Sequence, residues 1–372
     1  SLILFTFIFW VATNVVIFGK VVHPLLGWDI NTAIWIGILV LTIYTVLGGM
    51  YAVCYTDVVQ VVIMLLGLAI LVPITISMAG GLTEVLQSTP ETMKSILPQE
   101  GGSYVPWLAA WMILGVGSIA SPDMAQRSFT AKSAKIAQKS FYIAAAVYLI
   151  IEVAVLLAGF SGRVLVEKGI LDGALFAEDI ELFMPIMIKT LLPGPIAVLF
   201  LGAVIAAVMG ASDSALMAMS AMFSKNIYND IFKPDASDKE LIKITRITIV
   251  IVAILAGFVA TSYPRAVELS LYGFDLALAC IFAPLVFGLY YKKANAFGAM
   301  GAMVVGFIFR TFGAAFTNGF TFDGLVYPGN WYYFTLLSPI ISSVTLVTIS
   351  LLTQKQNSPL PLKSADGTVI SI

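Results

Sequence analysis

Ile196-Ala-Val-Leu-Phe-Leu-Gly-Ala-Val-Ile-Ala-Ala-Val-Met-Gly-Ala-Ser-Asp-Ser-Ala-Leu-Met-Ala-Met-Ser-Ala-Met-Phe223 decides the class of fold. A bilayer core takes roughly 20 apolar residues of helix, and this run carries a single charged side chain, Asp213. The whole chain follows the same composition. Of 372 residues, 59% are hydrophobic and 11% charged, with a mean hydropathy of +0.97. Soluble domains run at about 45–50% apolar and about 25% charged, so a soluble fold is excluded and the lipid bilayer is the first partner. A formal net charge of −1 supplies no basic field for nucleic acid. Two cysteines, Cys54 and Cys280, and one histidine, His23, rule out a disulfide framework and a four-ligand zinc site. There is no HExxH and no Gly-rich phosphate loop, so an enzyme lacks its tools. The expectation is an all-α polytopic membrane protein.

Apolar runs read against Gly, Pro and charge give about ten spans: Leu2–Gly19, Thr32–Gly48, Val58–Met78, Val105–Ala120, Ser140–Phe160, Ile196–Phe223, Ile244–Thr261, Leu269–Tyr290, Ala296–Phe316 and Trp331–Leu352. Residues 1–353 read as a single transmembrane domain and 354–372 as a short tail. Ser1 leads straight into the first apolar run without a basic segment or a cleavage site, unlike a signal peptide. The start therefore reads as the interior of a longer protein.

Lys and Arg set the expected orientation. One set of loops holds 13 of them, in clusters such as Lys132, Lys135 and Lys139, or Lys225, Lys233, Lys239, Lys243 and Arg246. The alternate set holds seven: Lys20, Lys94, Arg163, Lys168, Lys189, Arg265 and Arg310. Both ends are expected on the cytoplasmic side of the plasma (inner) membrane, with the segments 79–104 and 161–195 outside and with Lys20 and His23 snorkelling.

Charge inside a bilayer is expensive, which makes intramembrane acids candidates for function. Asp213 lies about 12 residues before Lys225, roughly 18 Å from the inner boundary at the helical rise. Ser212 and Ser214 flank it with hard oxygen, which suits a small cation. Small residues on the same helix, Ala203, Ala207, Gly210, Ala211, Ser214 and Ala218, also form a packing stripe. Asp57 follows Gly48-Gly49-Met50-Tyr51-Ala52-Val53-Cys54-Tyr55-Thr56. Thr56 and Asp57 read either as an N-cap after a glycine turn or as part of an ion site shared with Asp213. Glu152 and Asp275 fit a buried hydrogen-bonded acid, a solute contact or a proton carrier.

Together these segments resemble the solute:sodium symporter family, which includes sodium-coupled glucose, proline, pantothenate, sialic acid and choline carriers. The likeness rests on Gly48-Gly49…Ala52-Val53…Thr56-Asp57…Gln60, on Gln126-Arg127 with Ala131-Lys132-Ser133 and Ala137-Gln138, and on Ala206 to Tyr228. Lys292 to Ala299 adds a weaker match. The resemblance implies the leucine-transporter-type fold of two inverted repeats, the spans here being core helices three to ten plus two more, with the opening helices missing. It implies no catalysis and sodium as coupling ion, with a small polar solute (an amine, amino acid, carboxylate or sugar) moved inward. A proton-coupled or uncoupled relative, or a transporter-like sensor domain, is the alternative.

The family's main sodium site uses two adjacent hydroxyl residues on the eighth core helix. Here those positions hold Gly210 and Ala211, while Ala207 still matches a backbone-carbonyl position. Some members add a second site, which Asp57, Asp213 and Ser214 match, and coupling is expected to run through those three. Tyr44, Trp111 and Asp275 are the candidate solute contacts. The segment Gly117-Ser118-Ile119…Pro122-Asp123-Met124-Ala125-Gln126-Arg127 looks closer to choline-like and uncharacterised bacterial branches than to sugar carriers.

Overall fold

A computed structural model describes residues 2–98, 103–121, 124, 128, 130–318 and 330–360, with side chains excepted at 2–3, 48–54 and 317–318. The expected segments Pro122-Asp123 and Gln126-Arg127 lie outside the described residues. Apolar sequence becomes helix throughout, because a helix satisfies its own backbone polar groups where water is absent. Among the described residues, eight helices are long and apolar enough to cross a membrane: Leu4–Leu26, Ile30–Leu47, Tyr55–Met78, Ala134–Glu167, Gly194–Phe232, Asp238–Ser262, Ala296–Phe316 and Trp331–Leu352. The expected span Leu269–Tyr290 is a pair, Ala266–Cys280 and Phe282–Tyr290, bent by 40°. The expected span Val105–Ala120 is a shorter apolar helix, Tyr104–Ala120.

The chain divides into two compact units. The larger, Trp10–Gln99 with Asp123–Ala266, contains most of α1 (Leu2–Leu26) and α2 (Ile30–Met78). Between α2 and the smaller unit's α3 (Tyr104–Trp111) run two short helices, Leu82–Ser88 and Glu91–Lys94. The larger unit continues with α4 (Ala134–Glu167), α5 (Gly194–Met222) and α6 (Asp238–Ser262). Close approach is built into the sequence here: a Cβ on Gly67 would sit 2.4 Å from the ring of Phe200, so only glycine lets α2 and α5 meet at that depth.

The Gly48-Gly49 turn takes an unexpected form. Helical backbone runs without a break from Ile30 to Met78. In a straight helix Tyr44 and Thr56 would stand about 18 Å apart, yet their hydroxyls lie 3.4 Å from each other. The chain therefore doubles back between them, and α2 is two spans in one helical run. Asp57 consequently does not cap a helix; it lies well inside one.

The smaller unit, Ser1–Phe9, Glu100–Pro122 and Val267–Ile372, contains α3, most of α7 (Ala266–Cys280), α8 (Phe282–Tyr290), α9 (Ala296–Asn318) and α10 (Trp331–Leu352). After Trp111 the winding of α3 changes to a π turn at Met112–Val116 and then a 3-10 turn at Gly117–Ala120, irregularities that often mark functional positions. A Cβ on Gly117 would meet the Phe274 carbonyl oxygen at 2.6 Å, so this glycine lets the rewound segment lie on α7.

Two basic residues assigned to the outer set are not surface charges. Lys20 is 2% exposed and pairs with Asp179 at 2.7 Å and Glu181 at 2.5 Å. It does not snorkel, because two carboxylates of the 161–195 segment compensate it inside. Glu181 also accepts the backbone N–H of Ala266 at 2.9 Å, tying that segment to the start of α7. Arg310 is 1% exposed within α9, so it lies inside a helix and is not a loop charge.

Candidate functional site

The fold of α2 back on itself gathers the first cluster. Tyr44 comes from its first arm, and Thr56, Asp57 and Gln60 from its second. They meet α5 at Gly210, where a Cβ would sit 2.5 Å from Asp57 Oδ1 and 3.1 Å from Gln60 Oε1. Glycine at 210 is what allows a carboxylate to lie against the helix at this point. Ala207 and Ala211 are partly buried on the same helix and offer only backbone oxygen.

Asp213 has no exposed surface. Its Oδ1 accepts the Ser214 hydroxyl at 3.3 Å, and the Tyr44 hydroxyl and the Asp57 carboxylate lie close enough to act on it electrostatically. Its Oδ2 has no hydrogen-bond partner. Ser212 and Ser214 also donate to their own helix, to the Val208 and Gly210 carbonyls, both at 2.9 Å, as helical serines commonly do. Two carboxylates and several neutral oxygens with one oxygen unsatisfied form a hard, negative cluster suited to a small cation. Among the described residues no three His, Cys, Asp or Glu side chains converge.

The sequence expectations of Asp57, Asp213, Ser214, Ala207, Gly210 and Ala211 fall around this one place. Tyr44, expected at the solute, lies here instead of standing apart. Gln60 was quoted in the Gly-Gly motif but not singled out; its spacing of three from Asp57 puts both on one helix face, the signal that could have found it.

Asp275 has a different setting. It is 1% exposed, and its Oδ2 accepts Arg310 Nε at 2.5 Å and the Thr335 hydroxyl at 2.9 Å. The Arg310 guanidinium lies 5.1 Å from the centre of the Tyr272 ring. A cavity of about 70 Å³ borders the pair, lined also by Ala110, Ile113 and Trp331. Trp111 is 55% exposed, its ring 6.1 Å from that of Trp107. Glu152 stands on an exposed face of α4 with Tyr148 one turn away, outside both clusters.

Known proteins bear on this geometry. The chain is 31% identical over 313 residues to the human high affinity choline transporter 1, covering 82% of this chain and 53% of the relative. It is 26% identical to the osmoregulated proline transporter OpuE of Bacillus subtilis, covering 82% and 61%, and 29% identical to the sodium/pantothenate symporter of Haemophilus influenzae, covering 80% and 62%. The chain thus spans between half and two thirds of the length of these curated relatives, which are transporters and not enzymes. A solved structure of a Na+-coupled sialic acid symporter, substrate-bound and outward-open, superposes with a TM-score of 0.77 at 22% identity, covering 96% of this chain and 75% of that one, which shows the shared fold. The profile of the sodium:solute symporter family matches residues 1–306, and the chain belongs to that family.

Proposed function

We propose that this chain forms most of the core of a secondary-active symporter, which uses the inward movement of sodium to take up a small polar solute. No covalent step is needed. Ion and solute stabilise the same conformation, and two repeats rock around a site near the membrane midplane. The observation that carries this reading is the buried Asp213 carboxylate, whose Oδ2 has no hydrogen-bond partner, on the helix against which Asp57 packs at Gly210. Two anions forced together in an apolar interior repel unless a cation lies with them.

Asp57, Asp213 and Ser214 hold the ion in this proposal, with the backbone of Ala207, Gly210 and Ala211 as neighbours. With Gly210 and Ala211 in place of two hydroxyl residues, the carboxylates replace the lost neutral oxygens. A second reading, protons in place of sodium, is favoured by the same substitution, because carboxylates take up protons and hydroxyls do not. Trp111, exposed at the last residue of α3, is proposed as a solute contact. Asp275 contacts the solute only through the cavity it shares with Tyr272 and Trp331. The choline relatives point to an amine among the solute classes. The protein is placed in the plasma (inner) membrane with its basic loops inside.

The test is uptake by the full-length protein in proteoliposomes, with choline, proline and pantothenate as first solutes. Asp213→Asn and Asp57→Asn are expected to abolish the sodium dependence of uptake. A change in pH dependence with sodium dependence intact supports protons instead. Uptake that keeps its sodium and pH dependence in both variants overturns the site.

A further inference from the structure

α6 hides one side and leaves another bare. Ile249, Val252, Ala253, Ala256 and Ala260 are buried. Gly257 lies so close to Trp35 of α2 that a Cβ would meet the ring at 2.8 Å. The far side reads Lys243, Ile247, Val250, Ile254 and Phe258, steps of four, three, four and four that keep to one helix face. All five are exposed. Lys239, one turn before Lys243, and Arg246, nearly one turn after it, are exposed as well.

Charge sets this stripe apart from ordinary lipid-facing surface. Among the described residues no acid forms an ion pair with Lys239, Lys243 or Arg246. Glu240 acts on Lys243 by charge, but its carboxylate is taken up elsewhere. Lys233 donates to it at 2.8 and 2.9 Å and the Tyr228 hydroxyl at 2.7 Å. Asp238 stands off the stripe, about 140° round the helix from Lys243. Three cations within two turns repel one another, so an anion held among them is stabilising. From Lys243 to Phe258 the stripe runs about 22 Å. That is the depth of one leaflet with its headgroups, half of a bilayer of about 40–45 Å. α4 also begins with lysines, Lys135 and Lys139, but most of residues 134–156 are exposed, and no single face is marked out there.

We propose that the α6 stripe seats one anionic phospholipid of the leaflet on the basic-loop side. Lys239, Lys243 and Arg246 hold its phosphate, and one chain lies along Ile247, Val250 and Ile254. Attraction of this kind between juxtamembrane basic residues and anionic lipid is general; the register of charge with bare apolar surface makes it specific to this helix. The proposal goes beyond the ion site and does not depend on it.

The test is local quenching in vesicles of phosphatidylcholine containing a minority of phosphatidylglycerol. Full-length protein with Cys54 and Cys280 changed to alanine carries a bimane fluorophore on Val250→Cys. Either the phosphatidylglycerol or an equal amount of the phosphatidylcholine bears brominated chains, which quench on contact. Phosphatidylglycerol should be enriched at the fluorophore by at least about fivefold, the worth of a single basic residue at an anionic surface. Adding Lys239→Gln, Lys243→Gln and Arg246→Gln together should remove the enrichment, whereas Lys135→Gln with Lys139→Gln should leave it. Ile254→Cys on the same stripe repeats the measurement if Val250→Cys folds poorly. Equal quenching by the two lipids overturns the proposal, as does enrichment that survives the triple substitution or is lost equally in the α4 variant. Protection of both positions from either lipid means that a second protein chain covers the stripe, and overturns it too.

Discussion

Asp213 and Asp275 are both acids in apolar helices, both almost without exposed surface, and they end in opposite circumstances. Asp275 has a guanidinium at 2.5 Å and a hydroxyl at 2.9 Å on one oxygen. Asp213 has one hydroxyl donor, Ser214, on Oδ1. Each acid keeps one buried oxygen without a hydrogen-bond partner, Asp213 Oδ2 and Asp275 Oδ1, so the ionic partner is what differs. An ion pair inside a low-dielectric region is a fastening, because neither partner is tolerated without the other. A carboxylate near another carboxylate, with no basic side chain against it among the described residues, is the setting from which the ion site is proposed. The partner, more than the acid, separates structure from function here.

The same substitution at both places tests the contrast most severely. Asp275→Asn strands the Arg310 charge, and breaking such a buried pair costs about 3–5 kcal/mol, so expression and the thermal midpoint in detergent should fall sharply. Asp213→Asn removes one of two repelling charges, so its midpoint without sodium should hold or rise. Sodium at a hundred times its Kd stabilises a binding protein by about 2.7 kcal/mol, and that increment should disappear in Asp213→Asn while the parent shows it. Equal losses in the two variants would break the distinction.

Much of this was legible in the sequence, for physical reasons. The spans follow from composition, and all ten expected segments are helices, because hydrocarbon leaves the backbone no alternative. Asp213 stood out as the one charge in its run. The identity of the partners was hidden. Arg310 was counted as an outer loop charge because loop counting assumes that basic residues lie at span ends; its place about 21 Å into α9, fourteen residues from Ala296, carried the contrary signal. Lys20 was misjudged in the same way, since its carboxylate partners lie some 160 residues away in sequence. Asp57 is no cap because Gly48 and Gly49 do not stop the helix: the helical backbone bends through them.

A second comparison lies at Gly210, where the Asp57 carboxylate can lie against α5 only because position 210 has no side chain. A Cβ there would stand 2.5 Å from Asp57 Oδ1, closer than atoms approach, so Gly210→Ala should push the Asp57 carboxylate off α5. Overpacking of this kind costs typically about 1–3 kcal/mol, less than stranding a charge. The functional consequence is larger than the structural one: half-saturating sodium should rise in uptake assays while solute affinity at saturating sodium holds. Unchanged sodium dependence in Gly210→Ala would mean that Asp57 does not act from this position.

Thr335 offers the mildest probe of the fastening. Its hydroxyl supplies one neutral hydrogen bond to Asp275 Oδ2 while Arg310 supplies the charge. Thr335→Val keeps the shape of the side chain and removes only that donor. Side-chain hydrogen bonds between membrane helices are worth about 0.6 kcal/mol on average and about 1.7 at most, so the thermal midpoint should shift by a small fraction of the Asp275→Asn effect. The ratio between the two variants is the informative quantity. If Thr335→Val costs as much as Asp275→Asn, the hydrogen-bonded network acts as one unit and the charge pair alone is not the fastening. If it costs far less, Arg310 and Asp275 hold α7 to α9 by themselves, and the loss in Asp275→Asn is that of an unpaired buried charge.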